Sequence, residues 1–264
     1  MTGFPKLKTQ NSTFKTSITG YEPMITMTNI PTQPSYTATD HAVWAELVRR
    51  QLAHMEERAC QLFVEGWQRL ALDPLRLPDP ADVSARLERL SGWTLGDAQN
   101  EYLDATEWFE HIAERRFPVT NYIRPPEHID FTPLPDLFHE YFGHLAFFTD
   151  RRFGDIAQSF GPLYLAANER QQLEIARLWW YTTEFGIIRE NGALKAFGAG
   201  LYSSPGELAK AFAPDTPRVP FDVRQVAATA GAKYNMHDTY FIIDDVEHIA
   251  AILREYADIE GLHL

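Results

Sequence analysis

Cysteine is nearly absent from this sequence, which has one thiol, Cys60, among 264 residues. A single thiol cannot form an internal disulfide, so the disulfide-stapled class of small secreted proteins is excluded, and a reducing compartment is favoured. Because Cys60 lies within a helical pattern of apolar residues, we expect a buried structural thiol rather than a nucleophile.

Basic residues are also scarce, with 24 Lys and Arg against 36 Asp and Glu and a formal net charge of -12. General binders of nucleic acid or of anionic membranes need a basic face, so this charge argues against both classes of partner. The sequence has no apolar run of membrane-spanning length and no secretory signal core at its N-terminus. We therefore expect a cytoplasmic protein.

The composition supports a substantial hydrophobic core, since 45% of the residues are hydrophobic and 13% are aromatic. Residues 1–35 are rich in Thr, Ser and Pro without periodicity, which predicts an extended N-terminal arm. After residue 40 the chain shows no linker and no internal repeat. Residues 36–264 are therefore predicted to form one domain.

Apolar residues recur at helical spacing through most of this domain. Thr37 and Asp40 form a capping box before a long helix, which we expect to run to about Leu72 with an interruption near Gly66. Further helices are predicted from Asp79 to Gly92, after the cap residue Asp104, over 151–165 and 168–185, near 223–230 and over 246–256.

Short strands complete the predicted fold. The β-branched and aromatic run 119–123 predicts one strand, residues 240–243 predict another, and Asn191-Gly192 predicts a tight hairpin between 186–190 and 193–198. Ser204 and Glu207 form a second capping box at the start of a short helix. The expected fold class is α+β, predominantly α-helical, with small β-hairpins.

The stretch 132–144, TPLPDLFHEYFGH, contains His139, Glu140 and His144. It resembles the zinc-protease pattern H-E-x-x-H with one residue too many. Five residues at about 100° each leave two side chains about 140° apart, so a regular α-helix cannot present both imidazoles to one ion. We expect the helix to end at Gly143 in a left-handed conformation, so that the chain turns His144 back toward His139.

A third donor is Glu184. It follows Leu173, Ala176 and Trp180 at spacings of three and four. This spacing places the carboxylate on an apolar, inward-facing side of a helix, where it needs a partner such as a metal ion. Two imidazoles and one carboxylate form the facial triad of non-haem Fe(II), but a catalytic zinc ion uses the same donors. The residues alone leave both metals open, as well as a pair of structural histidines.

Other residues can be assigned in two ways. Arg124, in the loop before the histidines, could clamp a carboxylate through two hydrogen bonds, although a surface salt bridge is the commoner role of an arginine. The aromatic residues 179–181 and 185 would form an apolar wall suited to an aromatic ring, but core residues have the same composition. Surface or capping positions are expected for His41, His54, His111, His237, His248 and His263.

Taken together, these motifs resemble the catalytic core of the pterin-dependent aromatic amino acid hydroxylases, and most closely the bacterial phenylalanine 4-hydroxylases. The resemblance rests first on PDLFHEYFGH at 135–144 and WYTTEFG at 180–186. It extends to FEHIAERRFPV at 109–119, YIR at 122–124, KAFGAGLYSS at 195–204 and YFIID at 240–244. The motifs occur in the family's order and span roughly residues 35 to 258.

The resemblance implies the cofactors and the residues of the site. Iron(II) would be bound by protein side chains, a reduced tetrahydropterin would be the two-electron donor, and dioxygen would be divided between pterin and substrate. The implied residues are His139, His144 and Glu184 for the metal; Arg124, Thr132, Pro135, Trp180, Phe185, Gly200 and Ser203 for the amino acid; Leu103, Trp108 and Glu140 for the pterin; and Thr132, Glu140 and Ser203 for catalysis.

The sequence departs from the family's pattern in two places. Residues 98–103, AQNEYL, contain no glycine where the family has a glycine-containing pterin loop, and Tyr141 replaces an aliphatic residue. The animal enzymes' regulatory domain and oligomerisation helix have no counterpart, so we expect a monomer with small-molecule partners only.

The implied activity is hydroxylation of L-phenylalanine to L-tyrosine. The alternatives are hydroxylation of tryptophan or of another ring position, a zinc hydrolase with Glu140 as base, and a non-catalytic amino acid sensor.

Overall fold

Three helices open the part of the chain that the structure describes. This computed structural model describes residues 35–98, 103–130, 132, 134–230 and 236–264, so nearly all of the predicted arm lies outside the described residues. Helices α1 (Ala38–Met55), α2 (Gln61–Leu70) and α3 (Pro80–Ser91) follow in order. The capping box at Thr37 and the end of α3 at Gly92, where φ is 79°, confirm two local predictions.

The predicted long helix breaks between α1 and α2, and not near Gly66. At the break, the backbone N–H of Cys60 donates a hydrogen bond to the Tyr202 hydroxyl at 3.0 Å. Cys60 is fully buried, as predicted, but it is the N-cap residue of α2 rather than an interior helical residue. Gly66 lies within α2, where it permits a close backbone approach, because a Cβ there would stand 2.0 Å from the backbone oxygen of Ala146.

Helices α4 (Ala105–Ala113) and α5 (Arg151–Leu165) form a close helix pair. The α4 helix begins at Asp104, whose carboxylate accepts a hydrogen bond from the Glu107 N–H at 2.9 Å. The α5 helix has the predicted bounds. The two backbones approach at Gly161, where a Cβ would lie 2.5 Å from the backbone nitrogen of Ala113.

Replacing Gly161 by Ala is expected to destabilise the protein by about 1–3 kcal/mol, because the new methyl group would meet backbone atoms that can only move with the whole α4 helix. Urea unfolding followed by circular dichroism measures the change. Gly206→Ala is the matched control, since its Cβ would meet only the flexible Cε of Met236, at 3.1 Å. Equal stability of the two variants would contradict the close approach of α4 and α5.

A two-stranded parallel sheet leads the chain toward the motif at 132–144. Strand β1 (Thr94–Asp97) pairs with β2 (Arg116–Val119), and the register places Asp97 opposite Val119. The prediction of a strand over 119–123 is therefore wrong, since the strand ends where that run begins. The last paired residue of β1 determines this end, and a single-sequence pattern does not contain that information.

A four-stranded sheet lies on the C-terminal side of the molecule. Its strands are β3 (Ile187–Glu190), β4 (Ala193–Ala196), β5 (Arg218–Pro220) and β6 (Tyr240–Ile243), in the order β4-β3-β6-β5. The β3–β4 hairpin turns at Asn191 and Gly192 with φ of 51° and 79°, which confirms the predicted tight turn. Every residue of β6 is buried, so this strand lies inside the core.

The remaining α-helices are α6 (Glu169–Trp179), α7 (Ala199–Ser203), α8 (Pro205–Ala211), α9 (Val223–Ala228) and α10 (Val246–Glu260). Two short π-helical segments complete the site region: the first π-turn (His139–His144) and the second π-turn (Trp180–Glu184). One connected hydrophobic core joins these elements, and the predicted α+β, mainly helical fold is confirmed. Among the described residues, no helix has the length and apolar character needed to cross a membrane.

Candidate metal centre

The two histidines of the motif are brought together by the first π-turn. Its backbone hydrogen bonds include one from the Leu145 N–H to the Glu140 oxygen, five residues back, at 3.2 Å. In a π-helix each backbone N–H bonds to the carbonyl five residues back, so residues five apart lie on the same side of the helix. A regular α-helix does not bring such residues together. The Nε2 atoms of His139 and His144 consequently lie 3.1 Å apart.

The predicted bend at Gly143 is therefore wrong. Gly143 has no positive φ, and the backbone continues in right-handed helical conformation through Leu145. A Cβ on Gly143 would lie 2.9 Å from the backbone oxygen of Ala199, so this glycine permits the close approach of α7 to the π-turn. The glycine has a packing role, and the change of helical period brings the rings together.

Glu184 reaches the same place through the second π-turn. The Phe185 N–H donates to the Trp180 oxygen at 2.9 Å, again five residues back. Leu173, predicted to face inward with Glu184, is 54% exposed, whereas Ile175 is fully buried. The predicted set of inward-facing residues was wrong because the π-turn inserts one residue into the helix. The insertion rotates Glu184 relative to Leu173 and places it on the same side as the buried residues.

The three donor atoms form a compact set. Nε2 of His144 lies 3.1 Å from Oε1 of Glu184, and Nε2 of His139 lies 3.5 Å from Oε2. All donor atoms of this group lie within 4.8 Å of one another. Adjacent ligands about 2.1 Å from an octahedral ion stand about 3 Å apart, so the group could hold a metal ion from one side.

Neighbouring groups set the protonation state of the His139 ring. The Ser203 hydroxyl donates to the Ala199 oxygen at 3.0 Å, so it accepts the Nδ1 proton of His139 at 2.8 Å and leaves Nε2 unprotonated. Burial, with His144 beside it, lowers the pKa of His139 to about 4. The ring is therefore neutral at ordinary pH and can bind a metal.

The carboxylate donor is held in its ionised form. Burial acts to raise the pKa of Glu184, but His144, His139 and a hydrogen bond from the Trp179 indole at 3.1 Å together lower the pKa to about 2. An anionic carboxylate beside the neutral imidazole of His139 is suited to a divalent cation.

Glu140, next to the first histidine, is buried beside the donor group. Its Oε2 atom makes no hydrogen bond with the described residues. Burial, and then the charges of Glu184 and Asp136, raise its pKa well above the usual value. A buried carboxyl group without a partner is costly, and such a group is available to a ligand.

Arg124 is held by an internal carboxylate. Its Nε and Nη2 atoms donate to Asp136 at 2.7 and 2.8 Å, and its backbone N–H donates to the same carboxylate at 3.0 Å. Asp136 also accepts the His139 N–H at 3.2 Å. Arg124 is 4% exposed and Asp136 is fully buried, so the alternative of a surface salt bridge is wrong.

Three of the residues assigned to the substrate, Trp180, Phe185 and Gly200, lie together. The ring centroids of Trp180 and Phe185 lie 4.8 Å apart, and a Cβ on Gly200 would stand 2.3 Å from the Phe185 ring. Both aromatic side chains remain partly exposed, while Trp179 and Tyr181 are buried. The accessible part of the predicted aromatic wall is therefore Trp180 and Phe185.

Four other assigned residues have separate surroundings. The Thr132 hydroxyl donates to the Leu134 oxygen at 2.9 Å, and the Pro135 oxygen accepts from the Tyr122 hydroxyl at 2.8 Å. Trp108 packs edge-on against Trp179, with centroids 6.2 Å apart. Leu103 is partly buried, and the distinctive residues 99–102 beside it lie outside the described part of the chain.

One buried residue was missed by sequence reasoning. His237, expected at the surface or at a cap, is 2% exposed and accepts the Trp180 indole N–H at 2.7 Å. Its ring also contacts Glu207, which was expected to complete a capping box with Ser204. One feature of the sequence could have indicated this burial: His237 lies just before the apolar run that forms β6, so its imidazole enters the core with that strand.

Tyr141, the aromatic departure from the family's motif, faces the core. It is fully buried, and its hydroxyl has no hydrogen-bond partner among the described residues. Tyr141→Phe is expected to leave stability unchanged or to raise it by about 1 kcal/mol, because it removes an unsatisfied polar group. Urea unfolding measures the change.

The matched comparison for Tyr141→Phe is Tyr202→Phe. The Tyr202 hydroxyl donates to the Ala196 oxygen at 2.8 Å and accepts the Cys60 N–H. Its removal is expected to cost about 1–3 kcal/mol. A larger loss for Tyr141→Phe than for Tyr202→Phe would contradict the two hydrogen-bond environments.

Comparisons with known proteins agree with this geometry. Residues 11–260 match the family described as biopterin-dependent aromatic amino acid hydroxylase. A phenylalanine-4-hydroxylase of Caulobacter vibrioides is 36% identical over 230 residues, 85% of this chain and 77% of that protein. One from Pseudomonas aeruginosa is 30% identical over 220 residues, 83% of this chain and 84% of that protein.

Solved structures show the same fold. A Chromobacterium violaceum phenylalanine hydroxylase, described with bound iron(III) and oxidised 7,8-dihydrobiopterin, matches with a TM-score of 0.81 and 34% identity, covering 87% of this chain and 85% of that one. The apo enzyme of Colwellia psychrerythraea matches with a TM-score of 0.81 and 32% identity, covering 87% and 92%. This chain belongs to the biopterin-dependent aromatic amino acid hydroxylase family.

Proposed function

We propose that this protein is an iron(II)- and tetrahydropterin-dependent monooxygenase that hydroxylates L-phenylalanine to L-tyrosine with dioxygen. The observation that carries the proposal is the convergence of His139, His144 and Glu184, whose donor atoms lie within 4.8 Å of one another. Two imidazoles and one carboxylate on one side of an iron ion leave neighbouring positions free for other ligands.

The residues present fit both groups that this activity requires. The donor set combines a neutral imidazole with an ionised carboxylate, and the buried Glu140 offers an unpaired oxygen nearby. When bound, the iron and the reduced pterin would supply the activation of dioxygen and the insertion of one oxygen atom into the ring. On the pterin side we assign Leu103, Trp108 and Glu140.

The substrate would be held by groups on both sides of the donor set. We assign recognition of the amino acid's carboxylate to Arg124, which Asp136 fixes in place, and a supporting polar contact to Thr132. The aromatic ring would lie against Trp180 and Phe185, beside Pro135 and Gly200. Placing the ring here, next to Glu184, brings it close to the iron and excludes water from the reacting carbon.

The geometry leads to a revised role for Ser203. Its hydroxyl is engaged by His139 and by the Ala199 oxygen, so we propose that it orients the histidine for metal binding rather than holding the amine of the substrate. The amine is then left to Thr132 and to groups of the backbone.

The direct test uses purified protein loaded with iron(II), L-phenylalanine, oxygen and tetrahydropterin, with products identified by mass and retention time. Tyrosine formation from L-phenylalanine that requires iron(II), oxygen and tetrahydropterin supports the proposal. Absence of pterin-dependent turnover with every aromatic amino acid would refute it. Retained zinc, together with hydrolytic activity that needs no oxygen, would favour the zinc hydrolase.

The same assay separates the remaining alternatives within the enzyme class. A shift of about 1 Å in ring placement could redirect the oxidant, so tryptophan and the other phenylalanine ring positions are tested by the products formed. We further propose that residues 36–264 form the catalytic unit and that it acts as a cytoplasmic monomer. The single cysteine is typical of a reducing compartment, which supports the cytoplasmic setting.

A further inference from the structure

Glu207 is the centre of a buried hydrogen-bond cluster outside the donor group. One oxygen, Oε1, accepts the His237 backbone N–H at 3.1 Å, the His237 Nδ1–H at 2.5 Å and the Tyr240 hydroxyl at 2.6 Å. Ser204 alone caps α8, because the carboxylate that would complete the capping box is directed into the core instead. A buried carboxylate used in this way serves its partners in the core.

The hydrogen bonds determine which nitrogen of His237 carries the proton. An indole N–H can only donate, and Trp180 donates to Nε2 of His237 at 2.7 Å. Nε2 is therefore unprotonated, and Nδ1 carries the proton and donates a hydrogen bond to Glu207. Burial alone would raise the pKa of Glu207, but hydrogen bonds from His237 and Tyr240 lower it, which keeps the acceptor ionised.

This chain of hydrogen bonds ends at the residues assigned to the aromatic ring of the substrate. The His237 ring lies 4.2 Å from the Phe185 ring and 6.0 Å from the Trp180 ring, measured between centroids. Trp180 and Phe185 are both partly exposed, whereas His237 and Glu207 behind them are buried. The His237 imidazole thus packs behind Trp180 and Phe185, on their buried side.

We propose that Glu207 and His237 are a positioning pair that fixes the Trp180 indole and so determines which aromatic ring the site accepts. An indole whose N–H has one buried acceptor is restricted to one orientation, because any rotation leaves a donor unpaired. The proposal rests on the proposed function, since it assigns Trp180 to the substrate. Fixing this wall favours a single six-membered ring over the larger indole of tryptophan.

His237→Leu tests the pair by removing the acceptor at similar volume. The KM for phenylalanine is expected to rise by roughly tenfold, because the freed indole no longer defines the ring site. The kcat/KM preference for phenylalanine over tryptophan should fall, and less tyrosine should form per pterin consumed, with iron content unchanged. His237→Gln retains an acceptor for the indole and should restore most of the preference.

Two further variants keep the test decisive. Trp180→Phe retains a ring and deletes the indole donor, so it should reproduce the KM rise even if His237→Leu fails to fold. Combining Trp180→Phe with His237→Gln should then add nothing, since both act through one hydrogen bond. His54→Gln, an exposed histidine on α1, is the control expected to behave as wild type.

Two measurements do not depend on turnover. The ultraviolet resonance Raman signature of the indole N–H, assigned by subtracting the Trp180→Phe spectrum, should shift to that of a weaker hydrogen bond in His237→Leu. Calorimetry of phenylalanine binding to anaerobic iron(II) protein should show weaker binding by roughly tenfold. An inactive wild type would refute the function while these readouts still test the pair. An unshifted Raman signature, or a KM rise with unchanged preference, would overturn the inference.

Discussion

Replacing His139 or Glu184 by Ala is expected to abolish iron retention and pterin-dependent tyrosine formation while leaving the fold intact. Each variant removes one of three converging donors, and two donors are too few to retain a labile iron(II) ion. Loss of a residue that only hydrogen-bonds to a metal ligand already costs about 10–100-fold in metal affinity, so the loss of a ligand itself should exceed that range.

Iron content after desalting, tyrosine yield and the far-ultraviolet circular dichroism spectrum measure the three parts of this expectation. His54→Ala and Glu65→Ala are matched controls, since they replace the same residue types at exposed positions. They should retain iron and activity. A His139→Ala or Glu184→Ala protein that is iron-loaded and fully active would remove the triad from the site.

The second large effect is expected at the Arg124–Asp136 pair. Arg124→Leu should weaken transition-state binding of phenylalanine, measured through kcat/KM, by on the order of 2–4 kcal/mol, mainly through KM, because the buried charge-assisted contact proposed with the substrate carboxylate is lost. It should also destabilise the fold by about 3–5 kcal/mol, since Asp136 would be left as an uncompensated buried charge. Steady-state kinetics and urea unfolding measure the two losses.

A double variant separates the two roles of this pair. Arg124→Leu combined with Asp136→Leu removes both charges, so part of the lost stability should return while KM stays high. The recovery should be incomplete, because the backbone N–H groups of Arg124 and His139 lose their acceptor. Arg152→Leu provides the surface control, because the Arg152 side chain is exposed and its ion pair with Asp150 should contribute little. If Arg124→Leu leaves the kinetics unchanged, the arginine does not bind the substrate.

Local signals in the sequence were sufficient for several elements. The capping box at Thr37, the proline and glycine that bound α3, and the Asn191-Gly192 turn are all confirmed. Each depends on hydrogen bonds or φ values within a few residues, which the chain specifies locally. The strand predicted at 119–123 failed because its end depends on β1, a partner distant in sequence.

The sequence by itself determined the donor types of the site and the family to which the chain belongs. It contained two imidazoles five residues apart and a carboxylate forty residues later, but not the backbone that joins them. Only the tertiary structure shows the two π-turns. Gly143 packs against the Ala199 oxygen at the first π-turn, and Gly198 packs against the Glu184 backbone at the second, where a Cβ would stand 2.2 Å away. These contacts offset the poorer local geometry of a π-helix.

Tertiary structure also decided which polar side chains meet inside the molecule. Asp136 lies twelve residues from Arg124, and His237 lies thirty from Glu207. No periodicity in the sequence records either pairing. Their physical reason is burial: once folding removes these groups from water, each buried donor must find the acceptor that the rest of the fold brings to it.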